Sequence, residues 1–154
     1  MIIGRGMLAK AFNSYVSTED VIIFASGVSN SNEENSSSFT RERELLRHTI
    51  RNNPASLIVY FSTCSIYDST LQNSKYVLHK LLMELILQDE CDRYLIFRLP
   101  QVAGRTKSPT IINFIYNKIN NGEEFSVFSK SKRNIIDVDD VFKIVDYILK
   151  KIYL

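Results

Sequence analysis

Three apolar runs of strand length, residues 21–26 (VIIFAS), 56–62 (SLIVYFS) and 94–99 (YLIFRL), limit the fold more than any other feature. None alternates apolar with polar residues, as a strand with one wet face would. Such unbroken runs suit strands covered on both sides. Between them lie stretches of helical periodicity, and residues 76–88 carry apolar side chains at 78, 81, 82, 85 and 86. Strand and helix in alternation mark βαβ units, and so an α/β fold with a mainly parallel sheet and flanking helices.

Shorter elements complete the pattern. Residues 1–3 read as a first strand, followed by a helix over 7–16. Residues 29–39 (SNSNEENSSSF) are polar and aperiodic, a loop, before a charged helix over 40–51. A helix over 110–120 closes at Asn-Asn-Gly, where Gly122 offers a left-handed cap. Residues 125–128 read as a fifth strand, and Asp139 or Asp140 caps a last helix toward Lys150. Right-handed crossovers between neighbours give a sheet in sequential order. The 154 residues make one domain, 1–154.

Composition narrows the function classes. The net charge is +2, with basic and acidic residues interleaved, so neither nucleic acid nor an anionic membrane is the expected partner. No apolar stretch reaches the ~18 residues of a membrane helix. Two cysteines and two isolated histidines, His48 and His79, offer no metal cluster, and the thiols read as reduced in a cytoplasmic protein.

Ligands on parallel sheets bind beyond the carboxyl ends of the strands. Those ends are Gly4 and Gly6; Ala25, Ser26 and Gly27; Ser62 and Thr63; Leu99 and Pro100. Gly4-x-Gly6-x-x-Ala9 between a strand and a helix is either a plain tight turn or a cradle for a dinucleotide pyrophosphate. In the second case Arg5, Met7 and Leu8 complete the cradle at the helix start. An acid normally ends the second strand and holds the cofactor ribose; here Ala25, Ser26 and Gly27 stand there instead. Arg5 could meet a 2′-phosphate, which leaves NAD and NADP both open.

Thirteen positions after Thr63 comes Tyr76, one helical turn before Lys80. A phenol titrates near ~10, and an ammonium close by favours the phenolate. A strand-end hydroxyl can orient a carbonyl or alcohol for proton transfer. Thr63, Tyr76 and Lys80 thus form a candidate catalytic set, the plain alternative being a strand, a turn and a helix that happen to carry those residues. For the second such spacing, Tyr147 and Lys151, a helix-surface pair is the preferred reading.

The ordered motifs IIGRGMLAKAF, STCSIYD, YVLHK, FRLPQVAG and RNIIDVDDV resemble those of the extended short-chain dehydrogenase/reductases. That is the NAD-dependent epimerase/dehydratase family, which acts on nucleotide sugars. The resemblance implies a Rossmann-like fold binding NAD or NADP, truncated relative to the family. Thr63, Tyr76 and Lys80 fall on its catalytic hydroxyl, tyrosine and lysine. Arg133 falls on an arginine that meets nucleotide-sugar phosphates, while Arg98 and Gly104 match a motif after the fourth strand. The implied activity is an NAD(P)-dependent reductase or epimerase of a nucleotide-activated sugar in polysaccharide biosynthesis. The alternative is a non-catalytic module binding a nucleotide or a partner protein. Family members carry further strands between the first helix and the strand matching VIIFAS, and a larger carboxy-terminal lobe. The first strand should therefore lie at a sheet edge, and a homodimer or a partner protein is expected to cover it.

Overall fold

The structure is a computed structural model that describes residues 1–106 and 110–153. Four parallel strands form the main sheet: β1 (Ile2–Ile3), β2 (Val21–Phe24), β3 (Leu57–Thr63) and β4 (Tyr94–Leu99). Their order is β1-β2-β3-β4, as expected, with β1 at the edge. In register, Ile3 sits beside Phe24, Phe24 beside Tyr60, and Thr63 beside Leu99.

Every residue of β2 and β3 is buried, as their unbroken apolar runs demand. Alternation along each strand divides these side chains between two layers. On one side, Val21, Ile23, Val59 and Phe61 pack with Phe12 and Tyr15, and with Val141 and Val145. Phe12 and Tyr15 follow helix α1 (Met7–Ala11), the latter within a 3-10 turn, and the two valines lie on α5 (Val138–Tyr153). On the other side, Ile22, Phe24, Ile58 and Tyr60 meet Leu46, Ile50, Met83 and Leu87. Those four come from α2 (Ser36–Asn52) and α3 (Lys75–Glu90).

This layering corrects one expectation. The β1–β2 and β2–β3 connections step the same way across the sheet, yet they pass over opposite faces. They therefore have opposite hands, and a uniformly right-handed set of crossovers is not what forms. Seventeen residues, 4–20, separate β1 from β2, which leaves space for a five-residue helix and a 3-10 turn but not for a long crossover helix.

Other differences are local. Helix α2 begins at Ser36, inside the expected loop, because the Asn35 side chain accepts the Ser37 amide at 3.0 Å and caps it. Residues 125–128 form no strand. Instead β5 (Gln101–Ala103) and β6 (Ile135–Asp137) pair in parallel as a small second sheet. Helix α4 (Ile111–Asn120) is capped by Thr110, and Gly122 takes the left-handed conformation expected of it, φ +64°. The cap of α5 is Asp137 rather than Asp139 or Asp140, since its carboxylate accepts the Asp139 amide at 2.8 Å.

The apolar stripe read in α3 faces largely outward. Leu78, Leu81, Leu82 and Leu85 are exposed, while Val77, His79, Lys80, Met83, Glu84, Ile86 and Leu87 are buried. Among the described residues no helix is long and apolar enough to cross a membrane, and no cluster of three or more His, Cys, Asp or Glu could hold a metal ion.

Candidate functional site

The carboxyl ends of the four strands meet through a chain of close backbone approaches. Gly4 leaves β1 at φ +135°, and a Cβ there would lie 2.4 Å from the Ala25 carbonyl oxygen. Only glycine lets the turn back onto the end of β2 this closely. Gly27 makes the second approach: a Cβ would sit 2.7 Å from Lys80 Nζ and 2.9 Å from Glu42 Oε1. The glycine turn, the end of β2 and helix α3 are thus held together by absent side chains.

Gly6 opens α1, and a Cβ on it would meet nothing within 4 Å. The turn is open on that side, while Met7 and Leu8 are half-buried and Arg5 is exposed. Leu8 packs into the apolar layer under the sheet. The turn is thus open at Gly6, on the side from which a pyrophosphate would approach the start of α1. The end of β2 carries no acid of the kind that usually holds a cofactor ribose. In place of an acid, Ser26 is clamped by Arg41, whose two terminal nitrogens donate to the Ser26 Oγ and carbonyl at 3.1 Å each.

Ser62 and Thr63 close β3, both buried. The Thr63 Oγ accepts the Ser65 amide at 3.1 Å, starting a 3-10 turn over Cys64–Tyr67. Tyr76 stands in the first turn of α3, half-buried, with its phenol beside the Thr63 hydroxyl. The structure thus brings Thr63 and Tyr76 together across the end of the sheet. Burial raises the phenol's pKa; the nearby Thr63 hydroxyl, which makes no well-formed hydrogen bond to it, opposes this, and the Glu42 charge adds to the rise. The net direction is upward, opposite to the lowering expected from Lys80.

Burial leads this reversal, and Lys80, engaged elsewhere, does not offset it. Its ammonium is 3% exposed and donates to Glu42 Oε1 at 3.1 Å, the Tyr60 hydroxyl at 3.0 Å and the Phe61 carbonyl at 3.4 Å. Three donors meet three acceptors, which accounts for every N–H of an ammonium. Lys80 Nζ lies over the Tyr76 ring, 6.0 Å from its centre, while its hydrogen bonds go to Glu42, Tyr60 and Phe61. Burial lowers its pKa and Glu42 opposes that fall.

Glu42 was not singled out from the sequence, yet it is the best-partnered side chain in the region. It is wholly buried. Its carboxylate accepts the Val28 amide at 2.6 Å and the Tyr60 hydroxyl at 2.7 Å, in addition to Lys80, and His79 Nε2 lies 3.0 Å away. Burial alone would push this carboxyl up, but His79, Lys80, the Val28 amide and Tyr60 together bring it down to about 2. A signal was available: Glu42, Leu46, Thr49 and Ile50 share the buried stripe of α2, so an acid stood on the core face of an amphipathic helix.

A second polar cluster flanks the first. Arg98 on β4 donates to both oxygens of Glu84, at 3.1 and 2.6 Å, and to the Tyr67 hydroxyl at 2.6 Å. Burial raises the Glu84 pKa, but Arg98, Ser62 and Lys80 together bring it down. The buried Ser62 Oγ nevertheless makes no well-formed hydrogen bond, so its influence on Glu84 is through proximity. Leu99 ends β4 with Pro100 after it, both half-buried. Arg133 is exposed in the coil before β6.

Comparison with known proteins agrees with this architecture. The family model described as NAD dependent epimerase/dehydratase matches residues 4–153. No curated protein matches the chain. Among solved structures, the Bordetella bronchiseptica enzyme WbmH in complex with NAD+ is similar at 17% identity, TM-score 0.68, over 83% of this chain and 48% of that one. The same organism's WbmG, in complex with NAD and UDP, gives 19% identity and TM-score 0.62 over 90% of this chain and 48% of that one. The capsular polysaccharide assembling protein CapF from Staphylococcus aureus gives 21% and 0.57 over 85% of this chain and 36% of that one. The chain spans about half or less of these proteins' length, and at such identities the likeness is one of fold. The family match covers nearly the whole sequence: this chain belongs to the NAD dependent epimerase/dehydratase family.

Proposed function

We propose that the chain is an NAD(P)-dependent reductase or epimerase acting in the cytoplasm on a nucleotide-activated sugar of polysaccharide biosynthesis. The observation that carries this reading is the meeting of Thr63 and Tyr76 at the end of β3, linked through Lys80 and Gly27 to the glycine turn. Solved relatives of the fold hold NAD, or NAD and UDP, and one assembles capsular polysaccharide. Gly4, Arg5, Gly6, Met7 and Leu8, with Ala25, Ser26 and Gly27, would hold the dinucleotide, flanked by Ser62, Leu99 and Pro100. When bound, the nicotinamide supplies or accepts hydride.

The chain's own residues do the rest. Thr63 orients the reacting oxygen, and Tyr76 exchanges a proton with it. Arg133, exposed and close in sequence to β6, would meet substrate phosphate. The short two-residue edge strand β1 would be covered by a second copy or a partner protein.

A non-catalytic module is the second reading. It is favoured by the commitment of all three Lys80 N–H groups within the protein and by the chain's half length relative to similar structures. Fluorescence titration with NADH and NADPH, repeated on Tyr76→Phe, separates the two. Micromolar binding with turnover lost in the variant supports the enzyme; binding no tighter than millimolar supports the module.

A further inference from the structure

The Lys80 ammonium and the Glu42 carboxylate form a buried pair in contact, 3% and wholly unexposed, one helical turn beneath Tyr76. A cation paired this closely presents to a third group little more than a dipole. We propose that Glu42 is a positioning residue that withholds the Lys80 charge from Tyr76, so that the phenol keeps its proton and the site is built to give a proton to a carbonyl oxygen rather than to take one from an alcohol. This deepens the enzyme reading above and rests on it: between reduction and epimerisation it selects carbonyl reduction. In that reaction the carbonyl π bond breaks as a reduced nicotinamide, itself oxidised, delivers hydride to carbon. The Tyr76 proton passes to oxygen, and the phenolate regains a proton from solvent.

The geometry supports the assignment from each packed element. From α2 comes Glu42. On α3, His79 and Lys80 both lie against that carboxylate, and Glu84 is held by Arg98 of β4. From β3, the Tyr60 hydroxyl joins Lys80 to Glu42, and the Thr63 hydroxyl lies beside the phenol. Lys80 is thus matched to Glu42 and Arg98 to Glu84. Gly27 preserves the match, because a side chain there would strike both Lys80 Nζ and Glu42 Oε1. The rise of the phenol's pKa agrees with this arrangement.

The test follows ring-carbon NMR shifts of carbon-labelled tyrosine against pH, with residue 76 assigned by its loss in Tyr76→Phe. In Glu42→Gln the Tyr76 titration should fall by about one pH unit or more. In the double variant Glu42→Gln with Lys80→Met, which removes both charges and is the milder change for folding, it should stay within about half a unit of the parent. A titration unmoved in Glu42→Gln overturns the proposal. So does a rise of a unit or more in the double variant, which would show Lys80 acting directly on Tyr76. Should Glu42→Gln fail to fold, the double variant decides alone. Because no cofactor is needed, the outcome is separate from the NADH titration. Shifts as expected without dinucleotide binding would sink the enzyme reading and leave the electrostatic role of Glu42 standing.

Discussion

The two faces of the main sheet are covered by opposite strategies. Beneath α1 and α5 the layer is apolar: Phe12, wholly buried, touches the rings of Tyr15, Phe61 and Phe142 at 6.1, 5.4 and 5.3 Å. Beneath α2 and α3 a comparable apolar patch is interrupted, near the strand ends, by Glu42, His79, Lys80 and Glu84. Helix α3 accordingly turns His79, Lys80 and Glu84 inward beside Val77, Met83, Ile86 and Leu87, and leaves four leucines outward. The comparison shows where this protein spends stability on something other than packing. One face only holds the sheet together, whereas the other carries groups whose burial costs free energy unless every partner is in place.

The largest effects should come from breaking either face at its centre. Phe12→Ala removes a wholly buried ring and should cost about 3–5 kcal/mol in urea unfolding, by an amount independent of pH. Glu42→Ala should cost a similar ~3–5 kcal/mol, because it strands Lys80 and leaves the Val28 amide and Tyr60 hydroxyl unsatisfied. Equal losses with different chemistry would sharpen the contrast; a loss under about 1 kcal/mol at Glu42 would erase it.

A pH series separates the faces next. The Glu42 carboxyl is depressed from 4.5 to about 2. A depressed acid stabilises above its unfolded pKa, and that contribution drains away as pH falls from about 4.5 toward 2. The amount is on the order of 3 kcal/mol. Unfolding of the parent should show this acid limb, and Glu42→Gln should flatten it. An unchanged slope would mean that other carboxylates govern the acid limb. Gly27→Ala follows, with about 1–3 kcal/mol lost as the new methyl displaces Lys80 or Glu42. The smallest effect belongs outside: Leu85→Ser, at an exposed position of α3, should change monomer stability by no more than about 0.5 kcal/mol. A larger loss by the same unfolding assay would place that leucine in a packed interface.

Much of this was legible in the residues. The runs at 21–26, 56–62 and 94–99 are strands, Gly4 and Gly27 stand where close approaches occur, and Thr63 meets Tyr76. Less legible was the charge state of the site. Lys80 one turn from Tyr76 reads as a cation aimed at a phenol, but what a buried ammonium does depends on which acid reaches it. The acid here comes from 38 positions earlier in the chain. The α3 stripe marked the helix but not its orientation, for a related reason: periodicity reports that a helix has two faces, not which one the sheet receives.

The chain's local chemistry by itself determined strands β2, β3 and β4, the caps at Thr110 and Gly122, and the tight turn after β1, since these depend on apolar runs, backbone freedom and short-range hydrogen bonds. Only the tertiary structure decided the hand of the first crossover, the burial of Glu42 and the pairing that occupies Lys80. Those depend on which distant segments share one low-dielectric space, and there a single carboxylate at contact distance outweighs any spacing along a helix.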